Sequence, residues 1–238
     1  MTPSTPTESH WRFSTVTGYF YQSEPSTDPN TFNYASSNFG LIPRAYPTDT
    51  DLGPNSNNQK TTWERFAHHV RTLNAQSTDP NVRYKVLFLG RHGEGYHNVA
   101  EREYGTEEWD LLRETIGQHT CDGRSSKTAI TTEYPTYIIE EGFTENDEMY
   151  DAELRESDSA RDKRFRDLMQ DIFSTDEEKV FLSLTAHSGA ITSLLNVFGH
   201  RRFSPLETGG VIPVFVRGER VQGPLPVMEV EPWFGVPK

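Results

Sequence analysis

Two short apolar runs in this chain end in the same way, and that repetition limits the folds open to it. Tyr84-Lys85-Val86-Leu87-Phe88-Leu89-Gly90 leads into Arg91-His92-Gly93. Val180-Phe181-Leu182-Ser183-Leu184-Thr185 leads into Ala186-His187-Ser188-Gly189. Runs of this length without polar alternation suit strands buried on both faces. Gly93 directly after His92, and Gly189 two residues after His187, allow a sharp exit from strand to helix. Ala190 to Phe198, apolar throughout, reads as the helix after the second strand. Strands alternating with helices predict an α/β fold, a three-layer sandwich whose sheet is mostly parallel with helices on both faces.

The remaining elements follow from periodicity and turn chemistry. Trp63, Phe66, Val70 and Leu73 recur at helical spacing and predict a helix over 61–76 with a threonine as N-cap. His97 starts a second helix that ends at Gly105. Leu154, Phe165, Leu168, Met169, Ile172 and Phe173 form a broken apolar stripe that predicts a helix over 152–173. Gly210 to Val216 reads as a further strand, with Pro213 placing it at an edge or a bulge. Residues 1–60 hold many turn formers and scattered aromatics, including Phe13, Tyr19, Phe20, Phe32 and Tyr34. They are expected to form an extended arm packed on a main domain that spans 61–238.

Bulk properties exclude several classes. A chain of 238 residues supports one sizeable core. Its net charge of −12 repels nucleic acid and anionic membranes, so any anionic ligand needs a local cationic pocket. Cys121 is the single cysteine, so no intrachain disulfide forms. No apolar stretch has the length of a membrane span, and the first ten residues have no apolar signal core. The expected location is cytoplasmic, or also nuclear.

Two histidines past the carboxyl ends of neighbouring strands sit where ligands bind in open α/β sheets. Facing imidazoles, the permanently charged fork of Arg91 and the backbone N–H groups of the helix starts together suit a small anion such as a phosphoryl group. Other polar groupings are weaker. His119 and Cys121 supply too few ligands for a structural zinc site. The run Glu140, Glu141, Glu145, Asp147 and Glu148 lacks calcium-loop spacing and reads as a solvated insertion. His68 and His69 read as packing or surface residues of the first helix. No metal and no cofactor is expected.

The ordered set Arg91-His92-Gly93, His97-Asn98 and strand-His187-Ser188-Gly189 resembles the histidine phosphatase superfamily, in its phosphoglycerate mutase-like branch. The wording Gly90 to Glu101 is similar to the fungal phosphomutase-like members, and the resemblance extends to the aromatic arm and the Glu140–Glu145 segment. It implies a phosphoglycerate mutase-like fold and a phosphohistidine mechanism on a small phosphate ester, with no nucleic-acid or membrane partner. His92 resembles the nucleophile, with Arg91 and His187 as phosphate ligands. Asn98 resembles a residue that binds the phosphate or holds the nucleophile. Leu112-Arg113-Glu114 resembles the family's Leu-x-Glu stretch, which makes Glu114 the candidate proton donor. Arg124 is a candidate substrate contact.

The chain departs from the family in one place. The family carries a helix, a strand ending in a Ser-Pro-x-x-Arg motif and another helix between the Arg-His-Gly strand and the acid. Here Tyr104 to Asp110 runs straight into Leu111-Leu112-Arg113-Glu114, so the stretch near 105–111 is short. A skipped exon or splice form, loss in the lineage, and replacement of the missing arginine by Arg113 or Arg124 all account for it. The expected activity is phosphomonoester hydrolysis. The alternatives are a phosphate-binding pseudoenzyme, or an accessory protein of a fungal biosynthetic pathway.

Overall fold

The computed structural model describes residues 8–53, 60–92, 123–136, 138–139, 141–175, 178–203 and 206–235. Within them the strands are β1 (Ser9–Thr15), β2 (Val82–Arg91), β3 (Leu154–Arg155), β4 (Phe181–Ala186), β5 (Val211–Gln222) and β6 (Phe234–Gly235). The helices are α1 (Thr62–Ala75), α2 (Lys127–Glu133), α3 (Asp158–Thr175) and α4 (Ser188–Val197). Asn98, Glu114, Arg113, His119, Cys121 and the short stretch near 105–111 lie outside the described residues, as does the helix expected from His97.

The chain divides into two compact units, 1–93 with 164–228 and 94–163 with 229–238. The first holds a four-stranded sheet in the order β1-β5-β2-β4. β2 and β4 run parallel, with Arg91 opposite Ala186. β1 and β2 both pair with β5 antiparallel. The sheet is therefore mixed, which corrects the expectation of a mostly parallel one for these residues. The sequence signal came from the β2 and β4 pair alone. The chain returns through β5 in the opposite sense, and nothing in an apolar run encodes direction.

Alternation along β2 sends its side chains to two cores. Leu87 and Leu89 face a cluster with Phe165, Met169 and Phe173 of α3 and with Ile191 and Leu194 of α4. Val86 joins Phe66 and Val70 of α1 and the arm residues Phe20, Leu41 and Tyr46 on the other face. The arm also donates β1, whose Trp11 is buried in the first core. Gly218 of β5 lies under that packing. A Cβ there would stand 2.6 Å from Phe173 Cε1 and 3.2 Å from Trp11 Cε3, so the two rings leave room for glycine only.

Local chemistry sets the element ends. Thr61 accepts a hydrogen bond from Glu64 N while Glu64 accepts one from Thr61 N, a reciprocal cap that starts α1. α3 starts at Asp158 rather than at 152. Ser157 Oγ accepts from Ala160 N at 3.2 Å and stops the helix from extending backward. Leu154 pairs with Gly235 in the second unit, and Leu168, placed on the apolar stripe by spacing, is exposed. Pro213 sits in an inner strand without breaking it. Phe215 directs its carbonyl to Val16 N of the arm, so residues two apart, Pro213 included, face the β1 side. β1 ends opposite Val216, so the proline nitrogen meets no ladder partner there and β2 keeps its bonds.

A half-buried ion pair fastens the arm to α1. Arg65 donates from Nε to Asp49 Oδ1 at 3.0 Å and from Nη2 to Asp49 Oδ2, and both side chains are under 15% exposed. Asp49 Oδ2 also accepts from Tyr46 N at 2.8 Å. The Arg65 guanidinium holds the Asp49 carboxyl below the usual carboxylate range. A depressed folded pKa contributes stability above the unfolded value of ~3.9, and that contribution is lost as pH falls through and below it. Asp49→Asn is expected to lower stability by about 1–2 kcal/mol at pH 7. Urea unfolding of both proteins should show this gap narrowing as pH falls below ~3.9. A gap that persists unchanged at the acid end refutes the linkage.

Candidate active site

The parallel β2–β4 pair ends in a flat register, so its two exits lie side by side. His92 N donates to Ala186 O at 3.0 Å, one more rung past the last strand pair. The His92 and His187 rings then meet at 4.7 Å between centroids, tilted by 59°. His92 is half-buried and His187 is exposed, so the pair opens to solvent on one side. His187 occupies the N-cap position of α4 in an extended conformation. The first-turn amides of α4 have no intrahelical acceptor, and the helix dipole there favours an anion.

Arg91 is held by the segment that enters β5. Its Nη1 donates to Leu206 O at 2.9 Å and its backbone N donates to Gly210 O at 2.9 Å. Gly209 N in turn donates to His92 O at 2.9 Å and to Arg91 O at 3.1 Å. Gly209 has φ +75°, a conformation that favours glycine. The Arg91 Nε is buried and has no hydrogen-bond partner among the described residues. Sequence reasoning did not assign the Leu206–Gly210 segment to the site. The Gly209-Gly210 pair just before a strand was the signal available for it.

The structure thus brings Arg91, His92 and His187 together. Arg124 belongs to the second unit, where its guanidinium serves its own loop. Its Nη2 donates to Thr144 O and Thr144 Oγ1 at 2.8 Å and to Asn146 O at 2.6 Å, and the group lies 4.1 Å from the Phe143 ring centre. The acidic run beside it works in the same local way. Glu145 accepts from Thr128 N and Thr128 Oγ1 at the start of α2, bonds that hold its carboxyl below the usual range. Burial pushes the Asp147 carboxyl up, but bonds from the amides of Arg124, Met149 and Tyr150 outweigh it and set it low. Among the described residues no three His, Cys, Asp or Glu side chains are grouped to hold a metal ion, and no helix is long and apolar enough to cross a membrane.

Known proteins supply an independent line. The chain is 42% identical to a probable phosphoglycerate mutase of Arthroderma benhamiae over 288 aligned residues, covering 87% of this chain and 84% of that protein. It is 39% identical over 118 residues to phosphomutase-like protein 3 of Candida albicans, covering 50% and 37% of the two chains. It is 25% identical over 253 residues to a probable phosphoglycerate mutase of Saccharomyces cerevisiae, covering 65% and 84%. The 288-residue alignment is longer than this 238-residue chain, so the relative holds residues within the matched stretch that have no counterpart here. No family model and no solved structure matches. With two thirds of the Arthroderma protein and more matched at this identity, the chain belongs to the phosphoglycerate mutase-like branch of the histidine phosphatase superfamily.

Proposed function

We propose that this protein is a phosphoric monoester hydrolase that works through a phosphohistidine at His92. The observation that carries the reading is the His92–His187 ring pair, 4.7 Å apart at the exits of two parallel strands. A neutral imidazole is available near neutral pH, with an unperturbed pKa of ~6.5, and is nucleophilic toward phosphorus. In the first step an imidazole nitrogen of His92 bonds to phosphorus as the ester P–O bond breaks, and Glu114 protonates the departing alkoxide. In the second step Glu114, now a carboxylate, takes a proton from water. The water oxygen bonds to phosphorus, the P–N bond breaks and phosphate leaves. Arg91, His187 and the first-turn amides of α4 stabilise charge on the equatorial oxygens. They also supply the local cationic field that a chain of net charge −12 requires.

The substrate is a small phosphate ester, and neither nucleic acid nor a membrane takes part. The helical cover of both sheet faces supports a three-layer sandwich, and the location is read as cytoplasmic. One observation favours a second reading, a phosphate-binding pseudoenzyme. The Arthroderma relative has residues in the aligned stretch that this chain lacks, and the family's second pocket arginine belongs to the segment that is short here. Arg124 is engaged by its own loop, so a substitute from that position would first have to break those bonds. Loss of one such donor lowers rate by about 10²–10³.

Purified protein is expected to release nitrophenolate from p-nitrophenyl phosphate. Rapid quench into alkali should trap a phosphoryl group that is stable in base and released in acid, as a phosphoramidate is. Folded protein that turns over neither this ester nor a panel of phosphate esters would decide for the pseudoenzyme.

A further inference from the structure

The N-terminal arm reaches the phosphate site through one hydroxyl. Tyr34 OH donates to Gly209 O at 3.0 Å, across 175 residues of sequence. The same Gly209 gives its N–H to the carbonyls of His92 and Arg91, and Leu206 in the same segment fixes one arm of the Arg91 fork. The arm also meets the chain just before this segment. Arg201 Nη1 donates to Glu24 O at 2.9 Å and to Thr27 O at 2.8 Å, and Phe32 packs edge-on against Phe203. The Leu206–Gly210 segment is therefore held from two sides, by Arg91 and His92 on one and by Tyr34 on the other.

We infer that Tyr34 is a positioning residue of the phosphate site, acting through Gly209 and Leu206 to set the aim of the Arg91 fork. This rests on the phosphate-site reading above. A planar guanidinium recognises phosphate oxygens by direction as well as charge. A shift of the Leu206 carbonyl turns the fork, because that carbonyl fixes Nη1. Tyr34→Phe removes the hydroxyl and keeps the ring against Phe39.

The test is calorimetric titration of the full chain with inorganic phosphate, for wild type, Tyr34→Phe, Arg91→Lys and the double variant. Loss of one net hydrogen bond corresponds to a Kd raised by about 3- to 10-fold in Tyr34→Phe. A Tm within about 2 °C of wild type is expected alongside it. In the Arg91→Lys background, where the fork is gone, the same substitution should change Kd by less than about twofold. An unchanged Kd in Tyr34→Phe, or an equal loss in both backgrounds, overturns the positioning role while leaving the phosphate site standing. A wild-type protein that binds no phosphate overturns both.

Discussion

His92→Ala is expected to lower kcat for p-nitrophenyl phosphate by at least about 10⁴-fold, to the level of a folded protein with no nucleophile. The ring is half-buried and meets His187, and its backbone is fixed at both ends, by Ala186 O and by Gly209 N. Alanine keeps both backbone bonds, so the loss is one of chemistry rather than of fold, and Tm should move little. On the proposed reading His187→Ala removes a ligand of the transferring group, and it is expected to lower kcat by about 10²–10³. The two losses should not add. Once the nucleophile is absent, the partner ring has no transition state to stabilise. Stopped assays of the two single variants and the double variant check this. Activity retained within tenfold in folded His92→Ala would place the nucleophile elsewhere.

Phe66→Ala is expected to destabilise the first unit by about 3–5 kcal/mol. Phe66 is fully buried on α1, and six rings surround it. Centroid distances run from 5.4 Å to Phe20 and 5.7 Å to Phe215 out to 6.4 Å to Phe181. These neighbours come from the arm, from α1 itself and from two strands, so no single segment can move in to fill the gap. The cavity term then adds to the lost transfer energy. At about 2–4 °C per kcal/mol for a chain of this size, Tm should fall by roughly 10 °C. Thermal melts followed by near-ultraviolet circular dichroism read the change directly. A fall of less than about 3 °C would mean that the cluster does not hold the arm to the sheet.

The elements legible in the sequence are those whose burial is uniform or strictly periodic. β2 and β4 stand out as apolar runs, and α1 shows both its stripe and its cap. β1 was hidden because its strand alternates Trp11 and Phe13 with His10, Arg12 and Ser14 in a stretch rich in turn formers. β5 extends to Gln222, well past the expected Val216, because its second half is a two-faced ribbon of Arg217, Glu219 and Arg220 rather than an apolar core run. The start of α3 was misplaced because Leu154 has helical spacing to residues that it does not join. At the candidate site, the meeting of Arg91, His92 and His187 was legible because each stands at or just past the carboxyl end of a strand. Tyr34 and the Leu206–Gly210 segment were not. They act by backbone bonds between distant positions, and a carbonyl leaves no mark on residue identity.

The pairing of β1 with β5 has a consequence for biosynthesis. Ser9 lies opposite Gln222, and Thr15 opposite Val216, so this edge of the sheet closes only after more than two hundred residues have left the ribosome. Until then Trp11 has no slot, since Gly218 and Phe173 that receive it are still to come. Emerging chains therefore carry an unburied tryptophan and an unpaired strand through most of translation. A prematurely terminated chain lacking β5 would leave the edge of β2 that pairs with it bare, a template for pairing with another chain.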